Sequence, residues 1–387
     1  MSSPTRFEFA TATRIIFGPG ALSQAGGCAR EFGKTALVVT GRDAARASKL
    51  ISLLEEKGVT SVLFPTAGEP TTQTVEAGMA RARESGCDQV ISLGGGGALD
   101  AGKAIAAMMT NPGTLLDYLE VIGLAKPLPN PGAPFIAIPT TAGTGSEVTR
   151  NAVLASLEHR VKVSLRSPFM LPKVAIVDPE LTFDLPPAVT AATGLDALTQ
   201  VIEPYVSLRA NPMIDILCLD AMARVARSLR TAFSQGHDAE ARQDMALASL
   251  YGGLALANAG LGAVHGIAGP LGGMFPAPHG AVCAALLPHA FCVNQAAVRS
   301  RGTKGAWERF DCVAAVLTGK PNASAADAVD WLTALVRDLH IPSLAAYGIE
   351  RSDFPELVKK SAVASSMRAN PVALNPEEIS TILNRAL

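Results

Sequence analysis

The chain has almost no net charge, with 33 Lys and Arg against 34 Asp and Glu in 387 residues. It therefore offers no basic footprint for nucleic acid or for an anionic membrane surface. It also lacks any C-x-x-C pair. Its six cysteines (Cys28, Cys87, Cys218, Cys283, Cys292, Cys312) are scattered and read as reduced thiols of a cytoplasmic protein. No apolar run approaches the ~20 residues of a membrane helix. The segment Met1-Ser-Ser-Pro-Thr-Arg6 has no apolar core of the signal-peptide kind. The chain's one run of four glycines, Gly94–Gly97, also lacks two nucleotide motifs: it does not have the spacing G-x-G-x-x-G, and no Gly-Lys-Ser/Thr of a P-loop follows it. Charged residues are few, at 17% against 48% hydrophobic, so the chain is a well-buried globular protein long enough for two domains.

What is present divides near Pro187. Before it, apolar strand-like runs alternate with helical patterns: Ala36–Val39 then Asp43–Lys57, Val62–Phe64 then Thr72–Ser85, Gln89–Leu93 then Leu99–Met109. That alternation predicts a parallel sheet flanked by helices. Later strand candidates are Phe135–Ile138, Ala152–Leu154, Val161–Leu165 and Val174–Val177. Beyond Leu185-Pro-Pro187 the period is helical, with segments over Val189–Ser207, Pro212–Gln235, Glu240–Asn258, Trp307–Leu317, Ala325–Leu339 and Pro376–Leu387. The expectation is an α/β nucleotide-binding domain over residues 1–187 and an all-helical domain over 188–387.

Two loops carry the chemistry of the first half. The strand Val90–Leu93 runs into Gly94-Gly-Gly-Gly97 and directly into a helix, so backbone can approach a diphosphate at a helix N-terminus. Asp100 and Lys103, one turn apart there, have the spacing of a solvated ion pair. The strand ending at Ile138 opens into Pro139-Thr-Thr-Ala-Gly-Thr-Gly-Ser-Glu-Val-Thr149, whose hydroxyls and glycines suit phosphate or ribose.

In the second half, Asp196 and Gln200 lie four apart on one helix face. His265 sits in an apolar segment, and His279 lies between Pro278 and Gly280 in the setting of a turn between helices. One carboxylate and two imidazoles suit a divalent metal with an open position, or are satisfied core residues.

These segments resemble the iron-containing (group III) alcohol dehydrogenase family. The resemblance runs from Arg14-Ile-Ile-Phe-Gly-Pro-Gly20 to Met367–Asn370. It includes Val177-Asp-Pro-Glu-Leu181, Gly194-Leu-Asp-Ala-Leu198 with Glu203, and the stretch from His265 through His279-Gly280. It implies an α/β Rossmann-like N-terminal domain with a parallel sheet, an all-α C-terminal domain and a cleft between them, the fold shared with dehydroquinate synthase. It also implies hydride transfer between NAD(P) and an alcohol or aldehyde, commonly with Fe²⁺ or Zn²⁺, in a homodimer. Carried over by position, Gly95, Gly96, Gly97 and Asp100 line the diphosphate, while Thr140, Thr141, Thr144 and Ser146 meet phosphate, ribose or nicotinamide. Lys162 stands beside the nicotinamide ribose, and Asp196, His265 and His279 are metal ligands and catalytic groups.

The chain departs from the family at three points. Gln200 replaces the histidine that is usually the remaining ligand, and an amide oxygen is a weaker donor than imidazole. The site then binds metal through three protein ligands and water, or has lost tight binding. Gly269 replaces a further active-site histidine. Gly41 stands where many NAD-preferring relatives carry an aspartate that repels a 2′-phosphate; with Arg42 and Arg46 nearby, this tilts the expectation toward NADP. The alternatives are a metal-independent reductase of an acidic carbonyl substrate, similar to maleylacetate reductase, with Arg150 beside the substrate; a lyase of the dehydroquinate synthase kind; or a non-catalytic NAD(P)-binding relative. The Phe7–Ala10 run reads as an early strand able to pair across a twofold.

Overall fold

In the computed structural model, which describes residues 6–156, 158–159 and 161–387, the apolar runs of the first half become strands covered on both faces. The chain passes through β1 (Arg14–Phe17), α1 (Ala25–Phe32), β2 (Thr35–Thr40), α2 (Ser48–Glu56), β3 (Thr60–Pro65), α3 (Thr72–Glu84), β4 (Gln89–Gly94) and α4 (Gly96–Thr110). A single turn, α5 (Leu115–Tyr118), precedes β5 (Phe135–Pro139), β6 (Asn151–Ser156), β7 (Val161–Arg166) and β8 (Val174–Val177).

Six strands form one parallel sheet in the order β1-β8-β5-β4-β2-β3. Alternate side chains of each strand feed two cores. Ala36, Val38, Ile91 and Leu93 pack with α1 and α2, whereas Leu37, Val39 and Val90 pack with α3 and α4. The helices after β2 and β4 therefore leave on opposite faces, and the crevice between those two strand ends is a topological switch point. Two of the later strand candidates behave differently: β6 and β7 pair antiparallel with each other. Their one-sided burial, unlike the continuous burial of β4, β5 and β8, is the signature of an antiparallel hairpin.

The second half is helical throughout: α6 (Pro187–Val206), α7 (Pro212–Ser234), α8 (Ala239–Ala259), α9 (Ala263–Met274), α10 (His279–Arg301), α11 (Lys304–Thr318), α12 (Ala325–Asp338), α13 (Phe354–Ala362) and α14 (Pro376–Ala386). Asn211 and Asp238 cap α7 and α8 by accepting from Ile214 N and Ala241 N, and prolines open α6, α7 and α14. By length and composition α10 could cross a bilayer, but most of it is buried inside the helical unit as a core helix.

The chain forms two compact units, one of residues 11–141 and 145–182, the other of residues 6–10, 142–144 and 183–387. Two short pieces of the first half thus group with the helices. Ala10 donates its N–H to Asn258 Oδ1 and accepts from Asn258 Nδ2, and Gly143 O accepts from Gln200. Within one chain the Phe7–Ala10 segment pairs with no strand; its end is tied to the end of α8 by Asn258.

Candidate functional site

In the sheet unit, the ends of β2, β4 and β5 lie in register, with Thr40 beside Leu93 and Gly94 beside Pro139. The expected Gly-rich turn is there. Gly95 caps α4, and Gly96 and Gly97 open it. The turn needs glycine for close approach: a Cβ on Gly97 would lie 2.5 Å from Gly68 O, and one on Gly94 would lie 2.6 Å from the Ala98 methyl. A Cβ on Gly95 would touch the Thr141 side chain at 3.3 Å, while Thr140 N donates to Gly94 O at 2.9 Å. Gly95, Gly96, Gly97, Thr140 and Thr141 therefore converge at the α4 N-terminus, where aligned N–H groups favour an anion. Gly41 ends β2 at the same crevice with open space where its Cβ would be.

Asp100 and Lys103 are not the solvated pair that their spacing suggested. Lys103 is 1% exposed, and its ammonium donates to Ser146 O and Thr149 Oγ1 at 2.8 Å, to Ser146 Oγ at 3.1 Å and to Asn151 O at 2.8 Å. Asp100 accepts from Ser146 Oγ and from Val153 N at 2.9 Å. Together they pin the end of the hydroxyl loop and the start of β6 onto α4. Asp100 and Ser146 thus brace the hydroxyl loop against α4. Lys162 leans on Glu69 in an ion pair in which the lysine side chain is 8% exposed, so it is a held side chain rather than a free surface one.

Burial dominates the electrostatics of this network. It depresses the Lys103 pKa to about 8, against the pull of Asp100 and Glu147, and raises Glu147 to about 7. Glu147 is neutral in both folded and unfolded chains below pH 4.5. Its burial therefore begins to cost stability as pH climbs from 4.5 to 7, and the cost is complete above that. Glu147→Gln should accordingly gain roughly 3 kcal/mol over the parent between pH 4.5 and pH 8 in denaturant titrations. A pH-independent difference would show that Glu147 ionises normally.

In the helical unit, α6 places Asp196, Gln200 and Glu203 at i, i+4 and i+7, on one buried face. A Cβ on Gly280 would lie 2.7 Å from Ala192 O, so glycine lets the first turn of α10, with His279, rest on α6 a turn before Asp196. Between α8 and α9 the chain bends by 97° at Gly260, whose φ of 71° favours glycine. The bend points His265 at the same place. Its Nε2 lies 3.4 Å from Asp196 Oδ1, and His279 Nε2 lies 3.9 Å from that oxygen.

The supporting contacts set the chemistry. His265 Nδ1 bonds Glu203 Oε2 at 2.7 Å, and Glu203 Oε1 accepts from Val264 N at 2.6 Å. A neutral His265 thus carries its proton on Nδ1 and turns the Nε2 lone pair toward Asp196. Gln200 Nε2 donates to Gly143 O at 2.7 Å, which fixes the amide plane on the same face of α6. Asp196 Oδ1 is buried and makes no hydrogen bond. Burial alone would raise the Asp196 pKa, but His265 and His279 outweigh it and hold the carboxyl below the usual range. Burial likewise opposes charge on His265, yet Cys283, Asp196 and Glu203 hold its pKa well above that of ordinary imidazole; Cys283 chiefly raises His279. Imidazole protons and a divalent cation are alternative ways of balancing the same anions, so this donor set fits a metal.

Two members of the site escaped sequence reasoning. Cys283 lies one turn after His279, and its sulfur joins Asp196, His265 and His279 in a cluster whose donor atoms all fall within 4.8 Å of one another. The i, i+4 spacing that flagged Asp196 and Gln200 was available for it, but one cysteine among six reads as a core thiol. Glu203 stood in the quoted motif without a role, and its i+7 position from Asp196 was the signal. At Gly269 a Cβ would meet nothing within 4 Å, so the missing second histidine leaves open space.

An open α/β unit with a glycine turn at its switch point, joined in one chain to a helical unit whose Asp/His/His cluster could hold a metal ion, is the framework of a nucleotide-dependent oxidoreductase. Residues 12–179 match the family described as iron-containing alcohol dehydrogenase, and residues 190–387 match the C-terminal part of the same family. The chain belongs to the iron-containing alcohol dehydrogenase family. It is 37% identical to the 1,3-propanediol dehydrogenase of Klebsiella pneumoniae over 98% of both chains, and 38% identical to long-chain-alcohol dehydrogenase 1 of Geobacillus thermodenitrificans over 97% of both. Among solved structures, sulfoacetaldehyde reductase from Bifidobacterium kashiwanohense in complex with NAD+ superposes with a TM-score of 0.87 at 28% identity, covering 99% of each chain.

Proposed function

We propose that this protein interconverts alcohols and aldehydes by hydride exchange with NAD(P), using a divalent metal held by Asp196, His265 and His279. The observation that carries the reading is the buried Asp196 Oδ1, without a hydrogen bond and facing the Nε2 atoms of both histidines. When bound, the nicotinamide supplies the hydride-transfer centre, and Fe²⁺ or Zn²⁺ supplies Lewis-acid polarisation of the substrate oxygen. The chain's own residues do the rest. Glu203 fixes the His265 tautomer and ring plane. Gly95, Gly96 and Gly97 let backbone N–H groups approach a diphosphate, with Thr140, Thr141, Thr144 and Ser146 as neighbouring hydroxyls, Asp100 behind them and Lys162 at the ribose. Gly269 leaves α9 with His265 as its sole imidazole, so the alcohol proton leaves through water. Short primary alcohols and diols are the first substrates to try, given the Klebsiella relative's name.

Two finer points belong to the same reading. NADP is accepted, because Gly41 has open space beside it and Arg42 and Arg46 are exposed nearby. The protein works as a cytoplasmic homodimer; its six free cysteines support a reducing compartment, and light scattering checks the assembly.

The test is aldehyde reduction with NADH and NADPH before and after stripping with a chelator. Activity should vanish on stripping and return with Fe²⁺ or Zn²⁺. Unchanged activity in a metal-free protein would favour the metal-independent reductase instead. Gly41→Asp should lower kcat/KM for NADPH by at least about tenfold while sparing NADH, since a carboxylate there repels the 2′-phosphate.

A further inference from the structure

We propose that Cys283 is a protein ligand of the metal, its thiolate supplying the fourth donor that position 200 no longer provides, so that the site is Asp/His/His/Cys and favours zinc over iron. The inference rests on the metal reading above and deepens it.

Three observations carry it. The first is position. His279 and Cys283 are four apart in the first turns of α10, so both project to one side, and Cys283 Sγ lies 3.6 Å from His279 Nε2. The second is spacing. Bonds of about 2.0–2.1 Å to nitrogen or oxygen and about 2.3 Å to sulfur, at near-tetrahedral angles, would set donors roughly 3.3 Å apart, or 3.6 Å where sulfur is involved, and a fifth position would take the substrate oxygen. The separations here are 3.4 Å (Asp196 Oδ1 to His265 Nε2), 3.9 Å (Asp196 Oδ1 to His279 Nε2) and 3.6 Å (His279 Nε2 to Cys283 Sγ). Among the described residues, no other group of His, Cys, Asp and Glu donors is so closely drawn together. The third is the orphaned carboxylate. Asp196 is 2% exposed and its Oδ1 is aimed into the cluster without a hydrogen bond, as expected of an anion that awaits a cation.

The behaviour of Gln200 completes the argument. Its amide nitrogen is engaged by Gly143 O, which ties the side chain to the hydroxyl loop and leaves only its carbonyl oxygen, a weaker donor than thiolate, to compete for the metal. A thiolate in its place changes the character of the site. Asp196 and Cys283 carry two negative charges, which balance a dication, whereas one carboxylate and three imidazoles leave an excess positive charge. Soft sulfur also shifts preference toward zinc, where carboxylate and imidazole alone accommodate iron.

The experiment is metal titration of the chelator-stripped, reduced, full-length protein, with Co²⁺ as the spectroscopic probe and Zn²⁺ measured by competition. The wild type should bind one Co²⁺ per chain and develop a near-ultraviolet thiolate-to-cobalt charge-transfer band. Cys283→Ser should lose that band and bind Zn²⁺ on the order of 100-fold more weakly, the upper end of what loss of a mere supporting contact costs. Fe²⁺ affinity should fall less. Wild-type binding of Co²⁺ without the band, with Cys283→Ser unchanged in Zn²⁺ affinity, would overturn the role of Cys283 and leave the Asp196/His265/His279 site standing. No uptake of any metal by the wild type would overturn both. The wild-type spectrum needs no variant, so it decides the matter even if Cys283→Ser does not fold.

Discussion

Asp196→Asn should lower kcat/KM for aldehyde reduction on the order of 10³-fold and leave the chain folded. Asparagine has nearly the same volume, so the packing around this 2%-exposed position on α6 survives. What disappears is the anion that faces His265 Nε2 and His279 Nε2. Lewis-acid polarisation is worth several kcal/mol of barrier, and about 1.4 kcal/mol is a factor of ten in rate, which sets the scale. The loss should run in parallel with metal content, and excess Zn²⁺ should recover part of it. The KM for NAD(P)H should stay near the parent value, because the glycine turn belongs to the other compact unit. A variant that keeps its metal and its turnover would remove Asp196 from the active centre.

The second large effect concerns Lys103. Lys103→Met keeps the length of the side chain but leaves Ser146 O, Thr149 Oγ1 and Asn151 O without their buried donor. Buried groups stripped of a charged partner cost about 3–5 kcal/mol. The melting midpoint should fall by roughly 5 °C. Because this lysine holds the far end of the hydroxyl loop and β6 against α4, the KM for NAD(P)H should rise as well. Lys49→Met, on the exposed face of α2, should stay within about 0.5 kcal/mol of the parent. If Lys103→Met matched that control, the buried network would be dispensable.

How far the sequence reached depended on the range of the interaction involved. Helices such as Pro212–Ser234 and Ala325–Asp338 came within a residue or two of their expected bounds because periodicity and caps are local. The turn at Gly94–Gly97 was equally readable, since glycine there answers a backbone approach that no other residue allows. The hairpin of β6 and β7 was harder, as partner choice is not written in either strand alone. Lys103 shows a different limit. An Asp and a Lys three apart on a helix look the same whether the helix lies in water or under a hairpin, and only the fold put β6 over them. The hold that Asn258 takes on Ala10 spans 248 residues, and no local pattern announces it. At the metal cluster, Asp196, His265 and His279 emerged through resemblance, whereas Cys283 and Glu203 needed distances.

Asn370 has a consequence for the order in which this site is made. Its Oδ1 accepts from Ala263 N at the start of α9 and from Asn294 on α10, and its Nδ2 donates back to Asn294 Oδ1. A Cβ on Gly262 would collide with that oxygen at 2.8 Å, and Met367 fills the space that a Cβ on Gly266 would need. The turn that aims His265 is therefore clamped by residues 88 and 91 positions beyond His279 (367 − 279 and 370 − 279). A chain emerges N-terminus first at about 5–20 residues per second. Asp196, His265 and His279 are all synthesised seconds before the clamp that arranges them. A chain cut before Met367 should therefore keep Asp196, His265 and His279 but lose the clamp that aims His265, and its metal uptake should fall in the same titration.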